Sequence, residues 1–327
     1  MTSTPASAPA PAALAVVVPA HDEQHRIGTC LHSLRRAAAR TAPVPVLIVV
    51  AADACTDATA AVAADAGAEV VEIDARNVGA ARAAGADHAM ERLAGAGERP
   101  AEPEERLREA WARPAAGRPA VGRFAEPWER LAEPWARPAA GQGVWLAMTD
   151  ADTTVPEDWL IHQMAWARRG YDAVLGTIRL APARTGSLVV ARHDADYFRT
   201  RPLTGRATAW EHPHVHGANM GLRAAAYRRV GGFAALPTGE DRDLVGRLVA
   251  SGHRVARTDQ HPVRTAARLR GRAPGGLADL LMTLRPPVWE RPATTRHASR
   301  TGAGVGSAPV SPLTSVSPSA SVTGEEA

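Results

Sequence analysis

Apolar, β-branched runs alternate with segments of helical period along the first part of this chain, and that alternation constrains its fold more than any other feature. Residues 14–18 form an apolar run closed by Pro19, after which Ile27, Leu31 and Leu34 recur at helical spacing. Residues 44–50 are a second run, strongly β-branched. The helix expected over residues 58–66 is capped by Thr56 and Asp57 and stopped by Gly67. Residues 69–73 read as a third strand, and Arg76, Asn77, Val78 and Gly79 turn into a helix running through Arg82 to Met90. Strand, turn and helix repeated in this order predict an α/β fold, a doubly wound and mostly parallel sheet with helices on both faces in a single domain. Sheets of this kind bind ligands at the carboxyl ends of their strands. His21, Asp22, Glu23, Asp53 and Arg82 all fall at or near those ends. The first turn has no glycine-rich phosphate loop, which argues against a dehydrogenase or a P-loop NTPase.

A fourth strand, residues 144–148, runs into Thr149, Asp150, Ala151, Asp152 and Thr153. On an extended backbone, carboxylates two residues apart point to the same side. Pro156, Glu157 and Asp158 read as the first turn of a helix that continues over residues 160–169. Paired carboxylates at a strand tip suit Mg²⁺ or Mn²⁺, which take oxygen ligands and share the remainder with a substrate's phosphates.

The 327 residues are 45% hydrophobic, enough for a sizeable core, with only 4% aromatic. The formal net charge is +4 with acids and bases mixed and no dense basic block, so nucleic acid is not an expected partner. The two cysteines, Cys30 and Cys55, lack metal-ligand spacing, which fits a reducing cytoplasm. Residues 1–13 are rich in Pro, Ala, Ser and Thr without a charged start, unlike a secretory signal, and are expected to be disordered. No run of about 18 apolar residues predicts a membrane span.

Residues 98–142 break the pattern with Pro, Arg, Ala, Glu and Trp, and the segment starting at Trp111 recurs from Trp135. Two copies are too few for a solenoid, so this reads as a low-complexity insertion, with a tryptophan-bearing docking segment as the functional alternative. Further on, a strand over residues 173–178, a helix over 192–201, a helix over 224–230, an acidic helix start at Glu240, Asp241 and Asp243, and a short strand over 253–257 are expected. His212, His214 and His216 alternate, but Pro213 weakens a regular strand there, and His216 is placed in an acceptor loop in preference to a zinc site. Residues 264–272 are basic and can reach a diphosphate or close a lid through Arg268 and Arg272. A short apolar helix follows over residues 277–284, and residues 285–327 form a tail too polar to order itself.

Four segments in order carry a resemblance: residues 16–23 with Pro19 and Glu23, residues 49–57 with Asp53, residues 149–152 with both aspartates, and residues 216–223 together with Gly239, Glu240 and Asp241. Together they resemble family 2 glycosyltransferases of the inverting, GT-A-fold type, over residues 14 to about 280 apart from the insertion. The resemblance implies a glycosyltransferase domain over residues 14–284, with a nucleotide-binding half (14–152) and an acceptor half (153–284). It implies a nucleotide-sugar donor, usually a UDP-sugar, an acceptor hydroxyl of unspecified chemistry, and Mg²⁺ or Mn²⁺. Carried over residue by residue, Asp53 contacts the base, Pro19, Ala20 and Glu23 line the nucleotide pocket, and Arg82 lies near the base or diphosphate. Asp150 faces the ribose or sugar, Asp152 binds the metal, Asp241 is the base with Glu240 beside it, and His216, Gly217 and Asn219 lie on the acceptor side. Two positions depart from the family pattern: Ala52 precedes Asp53 where paired acids are usual, and Asp22 stands where asparagine is usual. A nucleotidyltransferase is disfavoured because residues 20–26 lack a basic, glycine-rich loop. A non-catalytic nucleotide-sugar-binding or scaffold protein is disfavoured by the joint presence of Asp150, Asp152 and Asp241. A cytoplasmic location is expected, with peripheral contact to the inner membrane face through residues 264–284 left open.

Overall fold

Every residue of strand β1 (Ala13–Ala20) is buried. Its alternate side chains feed two cores, Leu14, Val16 and Val18 on one face and Ala15 and Val17 on the other. Burial on both faces is what a continuous apolar run demands of a parallel strand. The computed structural model describes residues 9–95, 143–181, 187–202, 209–271 and 275–285. The expected insertion over residues 98–142, the first eight residues and the tail beyond residue 285 lie outside the described residues.

Helix α1 (Ile27–Ala39) lays Ile27, Cys30, Leu31, Leu34 and Ala37 on the first face. It is followed by β2 (Val46–Asp53), α2 (Thr59–Asp65), β3 (Glu69–Ile73) and α3 (Val78–Gly95). Helix α3 covers the opposite face with Ala86, Ala89, Met90 and Leu93. Strand β4 (Val144–Met148), the two-residue β5 (Thr153–Thr154) and α4 (Trp159–Arg168) come next, then β6 (Ala173–Ala181) and α5 (Ser187–Tyr197). A single 3-10 turn (Gly217–Asn219) leads into β7 (Met220–Arg223) and α6 (Ala224–Arg229). Helix α7 (Glu240–Ala250), strand β8 (Val255–Ala266) and α8 (Leu277–Thr283) complete the described elements.

The strands form one sheet in the order β3-β2-β1-β4-β7-β6-β8-β5. Strands β1 to β4 pair in parallel, β7 runs antiparallel between β4 and β6, and β8 runs parallel to β6. This is the mostly parallel, helix-covered α/β sheet that the alternation implies. No helix among the described residues is long and apolar enough to cross a membrane.

Three expectations need correction. Pro19 does not close β1, because the strand continues to Ala20 against β2 while β4 has already ended opposite Val17. The missing N–H of Pro19 therefore falls where one flank carries no partner. Strand β8 is longer than residues 253–257, and Asp259, Gln260 and Pro262 hide its apolar period while β6 and β5 hold it in the sheet. Helix α5 lies over Ser187–Tyr197, not residues 192–201.

Candidate active site

The carboxyl ends of β1, β2 and β4 open into a cleft of about 790 Å³. Pro19, Ala20, Glu23, Asp53, Arg82, Asp150, Asp152, His216, Gly217, Glu240 and Asp241 all line it. Asn219 and Asp22 are absent from that lining, and Arg272 lies outside the described residues.

Asp150 and Asp152 do not share the face of a strand. Strand β4 stops at Met148, where its pairing with β7 also stops, and the aspartates follow in a turn closed by the Thr153 N–H donating to the Asp150 carbonyl at 3.0 Å. Each meets a different arginine. Arg82 Nη2 donates to Asp150 Oδ1 at 2.6 Å, and Arg268 Nη2 lies 2.6 Å from Asp152 Oδ2. Thr265 Oγ1 adds a 3.3 Å bond to Asp152 Oδ1. Burial pushes the Asp150 carboxyl above its ordinary pKa, Arg82 opposes that, and the charges of Asp152 and Asp241 reinforce it.

Arg82 lines the cleft with its guanidinium engaged inside the protein. It is buried, and its other terminal nitrogen donates to Glu240, itself buried. Gly217 lies flat against this guanidinium, and a Cβ there would overlap it. Glu240 is therefore the counter-ion of Arg82, while its neighbour Asp241 faces the cleft. Asp241 Oδ2 accepts the Gly217 N–H at 2.9 Å and Oδ1 accepts the Arg242 N–H at 2.7 Å.

Asp53 is buried and works on the backbone. Its Oδ1 accepts the N–H groups of Ala75 and Arg76 at 2.7 and 2.8 Å, and its Oδ2 accepts that of Asn77 at 2.6 Å. These bonds hold the β3–α3 turn, in which Arg76 adopts a left-handed φ of 47°. A carboxylate has about four acceptor positions, so three bonds leave room for one ligand donor. Glu23 is buried and accepts from Arg268, and its backbone N–H donates to Thr59 Oγ1 at 2.6 Å.

His216 meets Tyr197, whose hydroxyl accepts the Ile178 N–H at 3.2 Å and lies 3.0 Å from His216 Nε2. Burial, helped by His214 and His212, pushes His216 down to about 3, so the imidazole is neutral beside the Tyr197 hydroxyl. His212, His214 and His216 do share one face, with successive ring centroids 5.8 and 6.0 Å apart. Each Nε2 is already bonded within the protein.

Asn219 belongs to the scaffold beneath the cleft. Its Oδ1 accepts Trp159 Nε1–H at 2.9 Å, and its Nδ2 donates to the carbonyls of Thr177 and His261 at 2.9 and 3.0 Å. Nothing in the local motif distinguishes such an asparagine from one facing the acceptor.

Sequence reasoning missed one further group. Asp22, Cys55 and Asp57 offer ligand atoms within 4.8 Å of one another. The spacing of residue 22 from residues 55 and 57 carries no motif that would have found it. Both carboxylates work in the turn, Asp22 Oδ1 accepting the Thr56 N–H at 2.7 Å and Asp57 Oδ2 the Gln24 N–H at 3.1 Å.

A carboxylate- and arginine-walled cleft at the strand tips of a doubly wound sheet is the arrangement of the GT-A class. Residues 10–281 match the family described as glycosyltransferase like family 2, and the chain belongs to that family. No curated protein is a significant match. The chain is similar in structure to S. aureus TarS 1-349 in complex with UDP-GlcNAc, at a TM-score of 0.47 and 12% identity, covering 81% of this chain and 61% of that one. It is also similar to mannosyltransferase PcManGT from Pyrobaculum calidifontis in complex with GDP-Man and Mn²⁺, at a TM-score of 0.46 and 18% identity, covering 82% of this chain and 62% of that one. A third similar structure is glucosyl-3-phosphoglycerate synthase from Mycobacterium tuberculosis, at a TM-score of 0.40 and 17% identity, covering 83% and 76%. The chain thus spans less than two thirds of the length of the first two.

Proposed function

We propose that this chain transfers a glycosyl group from a nucleotide-sugar donor, a UDP-sugar, to an acceptor hydroxyl with inversion, using Asp241 as general base. Residues 14–152 hold the nucleotide and residues 153–284 the acceptor. The observation that carries this reading is Asp241, a cleft-facing carboxylate fixed by the N–H groups of Gly217 and Arg242 within the same cleft as Asp150 and Asp152. A carboxylate held by two backbone donors keeps the orientation needed to take a proton in the transition state.

In the reaction, the acceptor oxygen attacks the anomeric carbon and its proton passes to Asp241. The bond from that carbon to the diphosphate breaks, and the nucleoside diphosphate leaves with the electron pair. Asp53 takes a donor N–H of the base on its remaining acceptor position, and Asp150, held by Arg82, faces the sugar. The donor set at Asp152 is carboxylate and hydroxyl oxygen, which fits a hard divalent cation. Mg²⁺ or Mn²⁺ held there would supply charge to neutralise the departing diphosphate.

The test is release of nucleotide from UDP-, GDP- and dTDP-sugars with Mn²⁺ or Mg²⁺. Asp152→Ala should abolish metal-dependent release. Asp241→Asn should lower kcat for transfer to an acceptor by about 10²–10⁴-fold while leaving nucleotide affinity unchanged. Nucleotide binding without turnover of any donor under any condition would defeat the proposal.

A further inference from the structure

The carboxylate assigned above to the metal already has a cation against it. Arg268 follows β8 and reaches back over the cleft, where its Nη2 lies 2.6 Å from Asp152 Oδ2 and also donates to Glu23. One guanidinium thereby links the β1–α1 turn, which carries Glu23, to the β4–β5 turn, which carries Asp152. Its side chain is only 19% exposed, and its buried Nε–H has no acceptor among the described residues. A guanidinium stays protonated throughout the ordinary working range of pH, so Arg268 is a fixed positive charge against Asp152.

A cation between two carboxylates neutralises them and ties together the turns that carry them. That is the electrostatic role a divalent ion would take at Asp152, and a second cation beside the same carboxylate is opposed by repulsion from the first. We propose, on the nucleotide-sugar reading given above, that Arg268 is a resident counter-ion holding the cation position at Asp152, that a divalent metal binds there only by displacing it, and that the displaced guanidinium turns its unfilled Nε–H to the donor's diphosphate. Metal alone then binds weakly, because it must strip an ion pair. Metal with a nucleoside diphosphate binds tightly, because the diphosphate takes up the arginine. The coupling is reciprocal, so metal tightens nucleotide binding by the same factor.

The test measures free Mn²⁺ by electron paramagnetic resonance during titration of the full chain, with and without UDP. Wild type, Arg268→Gln, Arg268→Lys, Asp152→Asn and the Arg268→Gln/Asp152→Asn pair are compared, with circular dichroism as the check on folding. Without UDP, Arg268→Gln should bind Mn²⁺ at least about tenfold more tightly than wild type, since a unit charge next to the ion has been removed. Arg268→Lys keeps the charge and should fall between the two. UDP should tighten Mn²⁺ binding in wild type by more than it does in Arg268→Gln. Asp152→Asn should erase the difference between the two backgrounds, which separates this site from any binding at Asp22, Cys55 and Asp57.

Unchanged or weaker Mn²⁺ binding in Arg268→Gln overturns the proposal, as does a gain that survives Asp152→Asn or an absence of Mn²⁺ binding in every variant. Failure of the functional reading has a different signature. If no nucleotide binds under any condition that reading falls, while the comparison of Arg268→Gln with wild type in Mn²⁺ alone still decides whether Arg268 occupies the cation's place.

Discussion

Arg82→Met tests how much of the fold rests on the charge pairing at the cleft. The substitution keeps an apolar stem of similar length and removes the guanidinium that joins α3 to α7 and to the β4–β5 turn. The side chains of Arg82 and Glu240 are 5% and 4% exposed, so Glu240 would be left charged, buried and unpaired. Breaking a buried pair from one side costs about 3–5 kcal/mol. Asp150 retains 35% exposure, so solvent screening limits its share to less than about 1 kcal/mol. The contact of the guanidinium with the Phe233 ring, 6.0 Å from the centroid, adds no more than about 1 kcal/mol. The expected loss of about 3–5 kcal/mol is a large part of the roughly 5–15 kcal/mol that holds a typical domain together. Urea unfolding followed by tryptophan fluorescence should show the midpoint fall with the slope unchanged. The Arg82→Met/Glu240→Leu double variant removes both charges and should cost less than the sum of the two single changes by about 2–4 kcal/mol. A single-variant loss below about 1 kcal/mol, or strict additivity in the cycle, would refute the assignment of Arg82 and Glu240 as a desolvated pair.

Asn219→Ala should cost roughly 2–4 kcal/mol by leaving the Trp159 indole N–H and two carbonyls without their partner, read by thermal melting, while the KM for acceptor in the folded fraction stays unchanged. A rise in acceptor KM without loss of stability would return Asn219 to the acceptor side. Two half-buried histidines predict acid sensitivity. His216 and His162 are pushed down from 6.5 to about 3 and about 4, in both cases chiefly by burial, so the folded protein keeps them neutral where the unfolded chain binds protons. Their contribution is intact above pH 6.5 and is lost as the pH falls from 6.5 toward 4, at up to about 1.4 kcal/mol per pH unit for each histidine. Urea midpoints that do not move between pH 7 and pH 5 would contradict this.

What was legible in the sequence is what short-range periodicity encodes. The strands Glu69–Ile73 and Val144–Met148 were readable to the residue, the first as a β-branched stretch soon after the helix stop at Gly67 and the second as an apolar run that ends at the acidic turn. The gathering of acids at the cleft followed from topology, since parallel strands all present their carboxyl ends to one edge. What was not legible is pairing at a distance. Arg82 is 68 residues from Asp150 and 158 from Glu240, and Arg268 is 245 from Glu23, so no motif could assign a guanidinium to its carboxylates. The acidic turn was misread for a related reason. Extended alternation at Asp150 and Asp152 requires β4 to continue, and β4 ends opposite the first residue of its antiparallel neighbour β7, a fact that lies 72 residues further on, at the pairing of Met148 with Met220.

On the proposed reading, these long-range pairings suit the two aspartates to different work. Asp150 is tied to an arginine that is itself anchored by buried Glu240 and packed against Gly217, so moving it would disturb α3, α7 and the 3-10 turn together. Asp152 is tied to an arginine on the short segment after β8, whose other partner is a carboxylate in the first turn. A rigid pair suits an oxygen that must orient a sugar, because its position is fixed by three elements of the core. A pair carried by the stretch between β8 and α8 would suit an oxygen that exchanges one cation for another, because releasing it leaves the strand pairing and the Arg82–Glu240 pair intact.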